Sequence, residues 1–391
     1  MKVSIADCIN DIPAQDWDAC VLDAAARSPG TDPDNPFLRH TFLRALEESG
    51  SVNARTGWQP LHLVVHDDVG SLVGAAPCYL KGHSRGEYVF DHYWADAYER
   101  AGGSYYPKLL VAIPFTPVTG PRLMVRDGPQ AGEVATALID GLRMLQDETL
   151  ASSTHVNFIT EWESQRLKHN GFLPRIDCQY HWSNEGFSTF NDFLSTLTSR
   201  KRKALNRERR EVLDADITIE RLNGDAITRE HWDAFYDFYQ DTGHRKWGKA
   251  YISRSFYDDI ADKFADRVLL VMAKREGRYI AGAINFIGRE TLFGRHWGTI
   301  EDHPFLHFEV CYYQAIEFAI ERGLKRVEAG AQGDHKLARG YRPVLTRSAH
   351  NIADPNFKRA VAEYLERERP AVELEAAQLN EETPFRQPVK I

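Results

Sequence analysis

A repeated hairpin is the feature that most constrains the fold of this chain. The two copies read LHLVVHDDVGSLVGAAPCYL from Leu61 and LLVMAKREGRYIAGAINFIG from Leu269. In each copy an apolar strand leads into a charged turn with glycine, and a second apolar strand passes through Gly-Ala. Each hairpin follows helices and precedes a strand, a helix and another strand. This self-similarity predicts an internal duplication of about half the chain, with a cleft where the halves meet.

The length of the chain supports the same division. A chain of 391 residues is too long for one ordinary core and fits two domains. We therefore predict an α/β (α+β) protein with domains at residues 1–178 and 179–391. In the first domain we expect a strand over Glu87 to Tyr93, followed by an aromatic loop, HYWADAYERAGGSYY. In the second we expect a C-terminal helix over Asp354 to Ala377.

The composition excludes several classes of protein. A hydrophobic content of 43% is typical of a soluble globular protein, and the net charge of -8 argues against nucleic-acid binding over the whole surface. The sequence shows neither an apolar signal core nor a run of membrane-spanning length, so we expect a cytoplasmic protein without a membrane span. The oligomeric state stays open. The cysteines are scattered and lack a CxxC pair, which argues against a disulfide framework and a zinc knuckle.

Residues Thr291 to Arg342 are the predicted centre of function. They read as a strand, a polar loop, a helix over Phe308 to Glu321 and a parallel strand over Lys325 to Ala329. The second strand opens into a loop dense in hydrogen-bonding side chains. Polar residues at strand ends are how an α/β protein builds a site. The candidates of this loop are Gln332, His335, Lys336, Arg339, Tyr341 and Arg342.

Two acidic residues of this stretch are candidate general bases. Glu309 lies in the first turn of the predicted helix, where the helix dipole favours a carboxylate, so capping explains it equally well. Glu328 lies inside the strand KRVEAG, where an unpartnered acid is costly. It is either a base or half of a buried ion pair with His296, Lys336 or an arginine.

Other polar residues of the stretch have two explanations each. Arg339 and Arg342 flank Tyr341 and would form an anion clamp beside a phenol able to protonate a leaving group. Arginines that brace the carbonyl groups of the loop would look the same in sequence. The histidines cluster, but no spacing matches a zinc signature, so we expect no metal. Cys311 has no evident activating partner, and we interpret it as a core residue.

Two further regions carry candidate binding residues. Asp91, Trp94 and Tyr106 interleave acids with aromatic rings, a pattern that suits an amine-bearing or sugar-peptide acceptor and equally an aromatic core under a loop. The run SRKRKALNRERR covers Ser199 to Arg210, and its residues 200–210 include seven basic residues and one acidic residue. It would bind a nucleotide, tRNA or an anionic surface, unless it is a solvated helix face.

The element order, given twice, resembles the tandem GNAT acyltransferase fold of the FemABX aminoacyltransferases. The resemblance is closest at NFIGRETLFGRHWG, HPFLHFEVCYYQAIEFAIERGLKRVEAGAQGDHKLARGY, GEYVFDHYWADAY and YYPKLLVAIPFTPVTGPRL, and it covers nearly the whole chain. These segments are similar to the bacterial FemAB-like family of predicted N-acyltransferases and peptidoglycan biosynthesis or recognition proteins. The resemblance implies two GNAT-like domains with mixed central sheets.

The resemblance also implies roles and donors. Related enzymes carry a lysine at the place of Lys336, where it is implied to meet the phosphate or carboxylate of the donor. A solvated loop lysine is the alternative. The implied donors are an acyl-CoA or an aminoacyl-tRNA. The long helical arm of tRNA-dependent relatives is absent from the sequence, and the nearest match to a CoA loop, at Arg295 to Ile300, departs in its last position.

Two functions of different classes follow. The first is an N-acyl or aminoacyl transferase with a small-molecule or cell-wall-precursor substrate, in which Glu309, Glu328 and Tyr341 act in catalysis. The second is a non-catalytic binding module that recognises a peptidoglycan precursor or another anionic metabolite. Carboxylates that share a cavity with Lys336 would favour the enzyme, and carboxylates held in ion pairs outside it would favour the binding module.

Overall fold

The computed structural model describes residues 1–247, 250–330 and 333–386. The chain forms two compact units. The first contains Met1–Asp177 and Leu345–Leu374, and the second contains Cys178–Val344 and the chain from Glu375. The segment 345–374, which we expected in the second domain, therefore belongs to the first unit.

The strands are short, as expected for apolar runs bounded by turn residues. They are β1 (Lys2–Ala6), β2 (Trp58–Pro60), β3 (His62–His66), β4 (Leu72–Ala76), β5 (Cys78–Lys81), β6 (Lys108–Val111), β7 (Met124–Val125), β8 (Ser153–Asn157), β9 (Leu173–Ser183), β10 (Ile217–Asn223), β11 (Val268–Arg275), β12 (Arg278–Ile287), β13 (Thr291–Thr299), β14 (Arg326–Glu328) and β15 (Arg342–Ile352).

The helices alternate with the strands. They are α1 (Ala14–Ala26), α2 (His40–Glu48), α3 (His92–Arg100), α4 (Ala131–Glu148), α5 (Glu161–His169), α6 (Phe190–Thr196), α7 (Ser199–Asp214), α8 (Arg229–Trp247), α9 (Arg254–Lys263), α10 (Leu306–Phe308), α11 (Gln314–Glu321) and α12 (Pro355–Glu381). Among the described residues, no helix combines the length and apolar character needed to cross a membrane.

The first unit contains a mixed sheet of order β15-β8-β6-β5-β2 and a smaller antiparallel sheet of order β1-β3-β4-β7. In the mixed sheet, β6 and β8 are parallel. Leu109, Val111 and Val156 join an apolar cluster with Leu138 and Leu142 of α4. Because successive side chains of a strand point to opposite faces, this core takes every second residue of β6.

The end of β15 explains why the segment 345–374 lies in the first unit. Ser348 to Ile352 pair antiparallel with β8. Val361 and Leu365 of α12 join Trp94 in a second apolar cluster. The strand pairing and the buried apolar surface both tie the segment to this unit.

The second unit is built on a mixed sheet of order β10-β11-β12-β13-β14-β9. The strand β13 pairs antiparallel with β12 and parallel with β14, so the predicted strand–helix–parallel strand arrangement is confirmed. Gly298 is required in β13, because a Cβ there would overlap the carbonyl group of Phe238 in α8. The helix α8 thus contacts the backbone of β13 directly.

One predicted element of the first unit is wrong. Residues 87–93 form no strand, and the expected aromatic loop contains α3. Tyr88 has a left-handed backbone with φ of 59°, which ends any extended run, and Asp91 stands at the start of the helix. The C-terminal helix was predicted over Asp354 to Ala377 and is observed as α12, with Pro370 inside it.

Candidate functional site

The strands β13 and β14 separate in the second unit and leave a cavity beside β13. Their pairing extends only from Thr291 with Arg326 to Phe293 with Glu328. On the other edge of β13 the register with β12 shifts, so that Arg295 is an extra, bulged residue. Bulges next to separated strands release backbone groups from the ladder. The cavity has a volume of about 90 Å³.

The cavity is lined by side chains from three elements. Its polar lining includes Asn285, Arg295, His296, His307, Cys311 and Tyr312. Cys311 is therefore a lining residue, whereas we expected it in the core. No activated nucleophile follows from this position alone.

The helix beside the cavity is irregular. We predicted one regular helix over Phe308 to Glu321, but α10 is followed by a π-helical turn at Glu309–Tyr313 and only then by α11. Phe305, before α10, has a left-handed backbone with φ of 63°. A π-turn rotates the side chains that follow it and is frequent at functional sites. Here it lies at Cys311 and Tyr312, which line the cavity.

Lys336 is buried, with 2% of its surface exposed, which excludes the solvated loop lysine given as the alternative. It lies in a 3-10 helix at Asp334–Arg339, and its Nζ donates to the carbonyl of Gly330 at 3.0 Å. Among the described residues it pairs with no carboxylate. Burial lowers the pKa of Lys336 from 10.5 to about 8, against a small opposing effect of Cys311. An ammonium group held this way suits an anionic ligand.

His335, the neighbour of Lys336, connects the 3-10 helix to the cavity wall. The hydroxyl of Tyr312 and Nε2 of His335 are hydrogen-bonded at 2.8 Å. The rings of His307 and His335 lie 5.9 Å apart, and Phe308 also packs on His335. His335 and Lys336 therefore follow the end of β14 on the side where Tyr312 lines the cavity.

Glu309 is held by an arginine and does not line the cavity. The Nε and Nη2 groups of Arg209 donate to its carboxylate at 3.0 to 3.2 Å, and Gln314 donates at 2.7 Å. Arg209 also bonds to Glu317 at 2.9 Å. This arrangement is the ion-pair alternative to a general base.

Glu328 is likewise held by an arginine. The Nε group of Arg326 lies 3.1 Å from its carboxylate. His181 approaches it to 3.8 Å, but burial, followed by the nearby Arg326 and Lys336, lowers the pKa of His181 to about 3. His181 is therefore neutral. Of the alternatives for Glu328, the structure shows an ion pair with an arginine.

The expected anion clamp is occupied by groups of the protein. Arg339 donates to the carbonyl of His335 at 2.8 Å and to Glu208 at 2.9 Å, and its guanidinium lies over the ring of Phe308. Arg342 pairs with Glu185 at 2.9 Å. Arg339 thus braces the loop, which is the alternative that the sequence left open.

Tyr341 is buried and His296 is half-buried. The hydroxyl of Tyr341 has no partner among the described residues, and burial raises its pKa well above 10. It packs against Tyr312. Burial lowers the pKa of His296 to about 3, so this lining residue is neutral. Gln332 lies outside the described residues, and within them no group of His, Cys, Asp and Glu side chains could hold a metal ion.

Of the candidates of the first unit, Asp91 and Trp94 are buried and Tyr106 is half-buried. Asp91 accepts hydrogen bonds from Tyr105 at 2.7 Å and from Lys108. Trp94 packs against His350, and Tyr106 is bonded to Ser84 at 2.8 Å. They form the interior alternative given for this pattern, with a helix, α3, in place of the loop.

The basic run forms α7 and divides into two faces. Arg200, Lys203 and Arg207 are exposed along an open groove of about 670 Å³. Glu208 and Arg209 point inward and hold Arg339 and Glu309. These two bracing residues are not among the candidates that the sequence pattern indicated. The spacing of buried Leu205 and Val212 was the available signal, because residues 208 and 209 lie on the same helical face.

Solved structures show that the chain has the tandem GNAT fold. FemX is 15% identical, with 93% of this chain and 100% of that chain covered and a TM-score of 0.55. A tandem GNAT protein from the clavulanic acid biosynthesis pathway is 12% identical, with 90% and 99% covered and a TM-score of 0.50. A conserved protein of unknown function from Bacteroides thetaiotaomicron is 13% identical, with 90% and 100% covered and a TM-score of 0.53.

The sequence identifies the family within that fold. The FemAB-like family, described as peptidoglycan biosynthesis/recognition, matches residues 8–387. The chain belongs to this family. A comparison with curated proteins finds no significant match.

Proposed function

We propose that the second unit transfers an acyl or aminoacyl group from an activated donor to an amine. The observation that carries this proposal is Lys336, an ammonium group that is buried after β14 and has no carboxylate partner among the described residues. Keeping an uncompensated charge away from water is costly, and such a charge is retained at sites that receive an opposite charge. The family and the GNAT fold support a transferase of this type.

In acyl transfer, a buried ammonium group such as that of Lys336 would stabilise negative charge. Attack of a neutral amine on the donor carbonyl forms a C–N bond and a tetrahedral oxyanion. The amine then loses a proton, and the bond to the leaving group breaks. A buried ammonium stabilises either the oxyanion or the charge of the donor, and such a contact contributes roughly 2–4 kcal/mol. Glu309 and Glu328 are proposed to hold the helix and the strand in place, since arginines occupy both carboxylates.

The donor and acceptor are proposed from the relatives. The tandem GNAT protein of the clavulanic acid pathway was solved in a form described as without AcCoA, and this association supports an acyl-CoA donor; aminoacyl-tRNA is the second donor. The family description supports a cell-wall precursor as acceptor. All five cysteines lie among the described residues and none forms a disulfide, as in proteins of reducing compartments, which supports a location in the cytoplasm.

One observation favours the alternative, a binding module without turnover. Glu309 and Glu328 both lie in ion pairs, and neither lines the cavity beside β13. A module that only binds an anionic precursor needs cations and aromatic rings but no base. Under this alternative Lys336 is part of a recognition site.

Lys336→Met tests both functions. The protein is incubated with acetyl-CoA or alanyl-tRNA and with amine acceptors that include a lysine-containing peptide and glucosamine. Acylated product is measured by mass spectrometry. We expect Lys336→Met to lower the rate roughly thirty- to a thousandfold, equivalent to 2–4 kcal/mol. Lys325→Met is the matched control, because Lys325 is an exposed lysine of the same unit.

The outcomes separate the two functions. Product formed by wild type and the control but not by Lys336→Met supports transfer. A cell-wall precursor that binds wild type and is never acylated supports the binding module. Equal activity of wild type and Lys336→Met removes Lys336 from the site.

A further inference from the structure

One face of the mixed sheet in the first unit is polar although it is buried. Tyr79, Leu110, His155 and His350 are successive cross-strand partners, so their side chains share a face. Residues two positions away along each strand lie on that face as well. We define the polar face by eight side chains, each at most 4% exposed: Tyr79, Lys81, Lys108, Ser153, His155, Asn157, Ser348 and His350.

Part of the polar face is satisfied by its own hydrogen bonds. The Nδ1 atoms of His155 and His350 are 2.7 Å apart, so one ring donates to the other. Ser153 and Ser348 bond to the Nε2 atoms of the two rings at 2.7 and 2.9 Å. Burial lowers the pKa of both histidines, so the chain of four groups is neutral. This part needs no ligand.

Five other buried polar atoms, on or beside this face, have no hydrogen-bond partner among the described residues. The donors are the indole N–H of Trp58 and the hydroxyl of Tyr79, and the acceptors are Oε1 of Glu87, Oδ1 of Asp91 and Oδ1 of Asn157. All five residues are at most 4% exposed. Native proteins rarely leave buried polar groups unpaired, so each such group calls for an occupant.

Three of the residues that carry these atoms lie near Lys81. Its Nζ lies 3.5 Å from the ring centre of Trp58 and 3.8 Å from Oε1 of Glu87, and it donates to the carbonyl of Gly57 at 3.1 Å. Tyr79 is on the same strand face, and its ring lies 5.5 Å from that of Trp58. Residues with unsatisfied donors and a residue with an unsatisfied carboxylate oxygen therefore lie around one lysine. A ligand that carries only a positive or only a negative charge would satisfy either the carboxylate oxygen or the donors, but not both.

The charges around Lys81 are balanced only loosely. Lys108 donates to Glu87 at 2.8 Å and to Asp91, which fixes that pair. Lys81 and Glu87 are instead too far apart for a hydrogen bond. Burial lowers the pKa of Lys81 to about 7 and raises the pKa of Glu87 to about 7. Both groups would gain from an opposite charge supplied by a ligand.

We propose that the polar face binds a small zwitterion, an amino acid or the end of a short peptide, around Lys81. The ammonium group of the ligand donates to Glu87 and Asp91, and its carboxylate accepts from Lys81, Trp58 and Tyr79. Residues 82–107, which contain Glu87, Asp91 and α3, cover the site. The ligand enters when this covering segment moves. The proposal concerns the first unit and does not depend on acyl transfer in the second.

Calorimetric titration and thermal melting test the proposal on the full-length protein. The probes are the standard L-amino acids and dialanine, with ethylamine and propionate as analogues of one charge each. We expect at least one zwitterion to bind and to raise the melting temperature. The single-charge analogues should bind roughly ten- to a hundredfold more weakly, because each leaves buried groups unsatisfied. Free amino acids against dialanine distinguish the two sources of the zwitterion.

A variant at Glu87 tests whether its carboxylate binds the ammonium group of the ligand. Glu87→Gln keeps an acceptor for Lys108 but removes the charge, and we expect roughly a ten- to hundredfold loss of affinity. Glu161→Gln, at an exposed glutamate of the same unit, should bind as wild type. If Glu87→Gln does not fold, the wild-type comparison of zwitterions with single-charge analogues still decides. Failure of every zwitterion at millimolar concentration, or a crystal structure with water alone on these atoms, would overturn the proposal.

Discussion

The first unit buries Lys81 and Lys108 and the second buries Lys336, and Lys108 and Lys336 differ in their partners. Lys108 of the first unit is fully buried and bonded to Glu87 and Asp91. Burial alone would lower its pKa, but the two carboxylates raise it above the ordinary value. Lys336 of the second unit is bonded, within the part of the chain that the structure describes, only to the carbonyl of Gly330, and burial lowers its pKa to about 8. Equal burial therefore gives opposite shifts, and the partner decides the sign.

The difference distinguishes Lys108, whose charge stabilises the folded state, from Lys336, whose charge destabilises it. Lys108 compensates two carboxylates, so removal of any one member leaves buried charge behind. Lys336 compensates nothing within the described protein, and its ammonium is available to a ligand. The following changes test this comparison, from the largest expected effect to the smallest.

Lys108→Met should have the largest effect on stability. It leaves the carboxylates of Glu87 and Asp91 buried without their cation, which costs about 3–5 kcal/mol of unfolding free energy. Chemical denaturation measures this loss. The double variant with Asp91→Asn should recover part of it, because Glu87 then still has Lys81 at 3.8 Å as a cation. A loss below about 1 kcal/mol for Lys108→Met would break the comparison.

Lys336→Met should act in the opposite direction. A pKa lowered from 10.5 to about 8 costs the folded state roughly 3 kcal/mol while the lysine is protonated. Allowing about 1 kcal/mol for the lost hydrogen bond, we expect the variant to be more stable by about 1–3 kcal/mol at pH 7.

The pH dependence of this gain has a definite sign. Below pH 8 the lysine is protonated in both states, so the penalty on the folded wild type is complete. Between pH 8 and 10.5 the unfolded state binds more protons, and wild-type stability rises relative to the variant. The gain of Lys336→Met should therefore vanish above pH 10.5. A constant gain across this range in denaturation curves would show that packing, not charge, causes it.

The exposed basic side chains of α7 can be compared with the two buried lysines, because their charges are solvated. Replacement of Arg200, Lys203 and Arg207 by serine should change stability by less than about 0.5 kcal/mol, because these side chains are solvated. If the groove binds RNA phosphates, filter binding of unfractionated tRNA should lose roughly two units of salt-dependence slope. Serine at Arg229, Lys263 and Lys325 gives the same charge change elsewhere in this unit. Equal binding by both triple variants would assign α7 to a solvated face.

Much of the fold could be predicted from the sequence. The two hairpins were predicted from alternating apolar runs, and β3, β4, β11 and β12 lie where those runs lie. The strand–helix–parallel strand arrangement around Thr291 to Arg342 and the tandem GNAT fold were also predicted and are confirmed. The strand over Glu87 to Tyr93 failed because its residues cover the polar sheet face instead of pairing with a neighbour. That role depends on Lys108, which lies on another strand.

The candidate site was less predictable. The sequence pointed to Lys336 and its neighbours, but it did not show that Lys336 is buried or that Cys311 lines a cavity. It also left Glu309 open between base and ion pair. The partner that answers this question, Arg209, lies 100 residues away and belongs to a run that reads as solvent-exposed. No local pattern contains that contact.

The sequence by itself determined the order of the elements, the repeated hairpin, the family and the loop that carries Lys336. These follow from residues close together in the chain, because strand alternation, helical spacing and turn residues act over a few positions. The tertiary structure decided which charges are paired. Arg209 pairs with Glu309, Arg326 pairs with Glu328, and Lys108 pairs with Glu87 and Asp91. Among the described residues, Lys336 donates only to a carbonyl group. Ionic function depends on burial and on such partners, and folding brings most of them together from distant positions in the sequence.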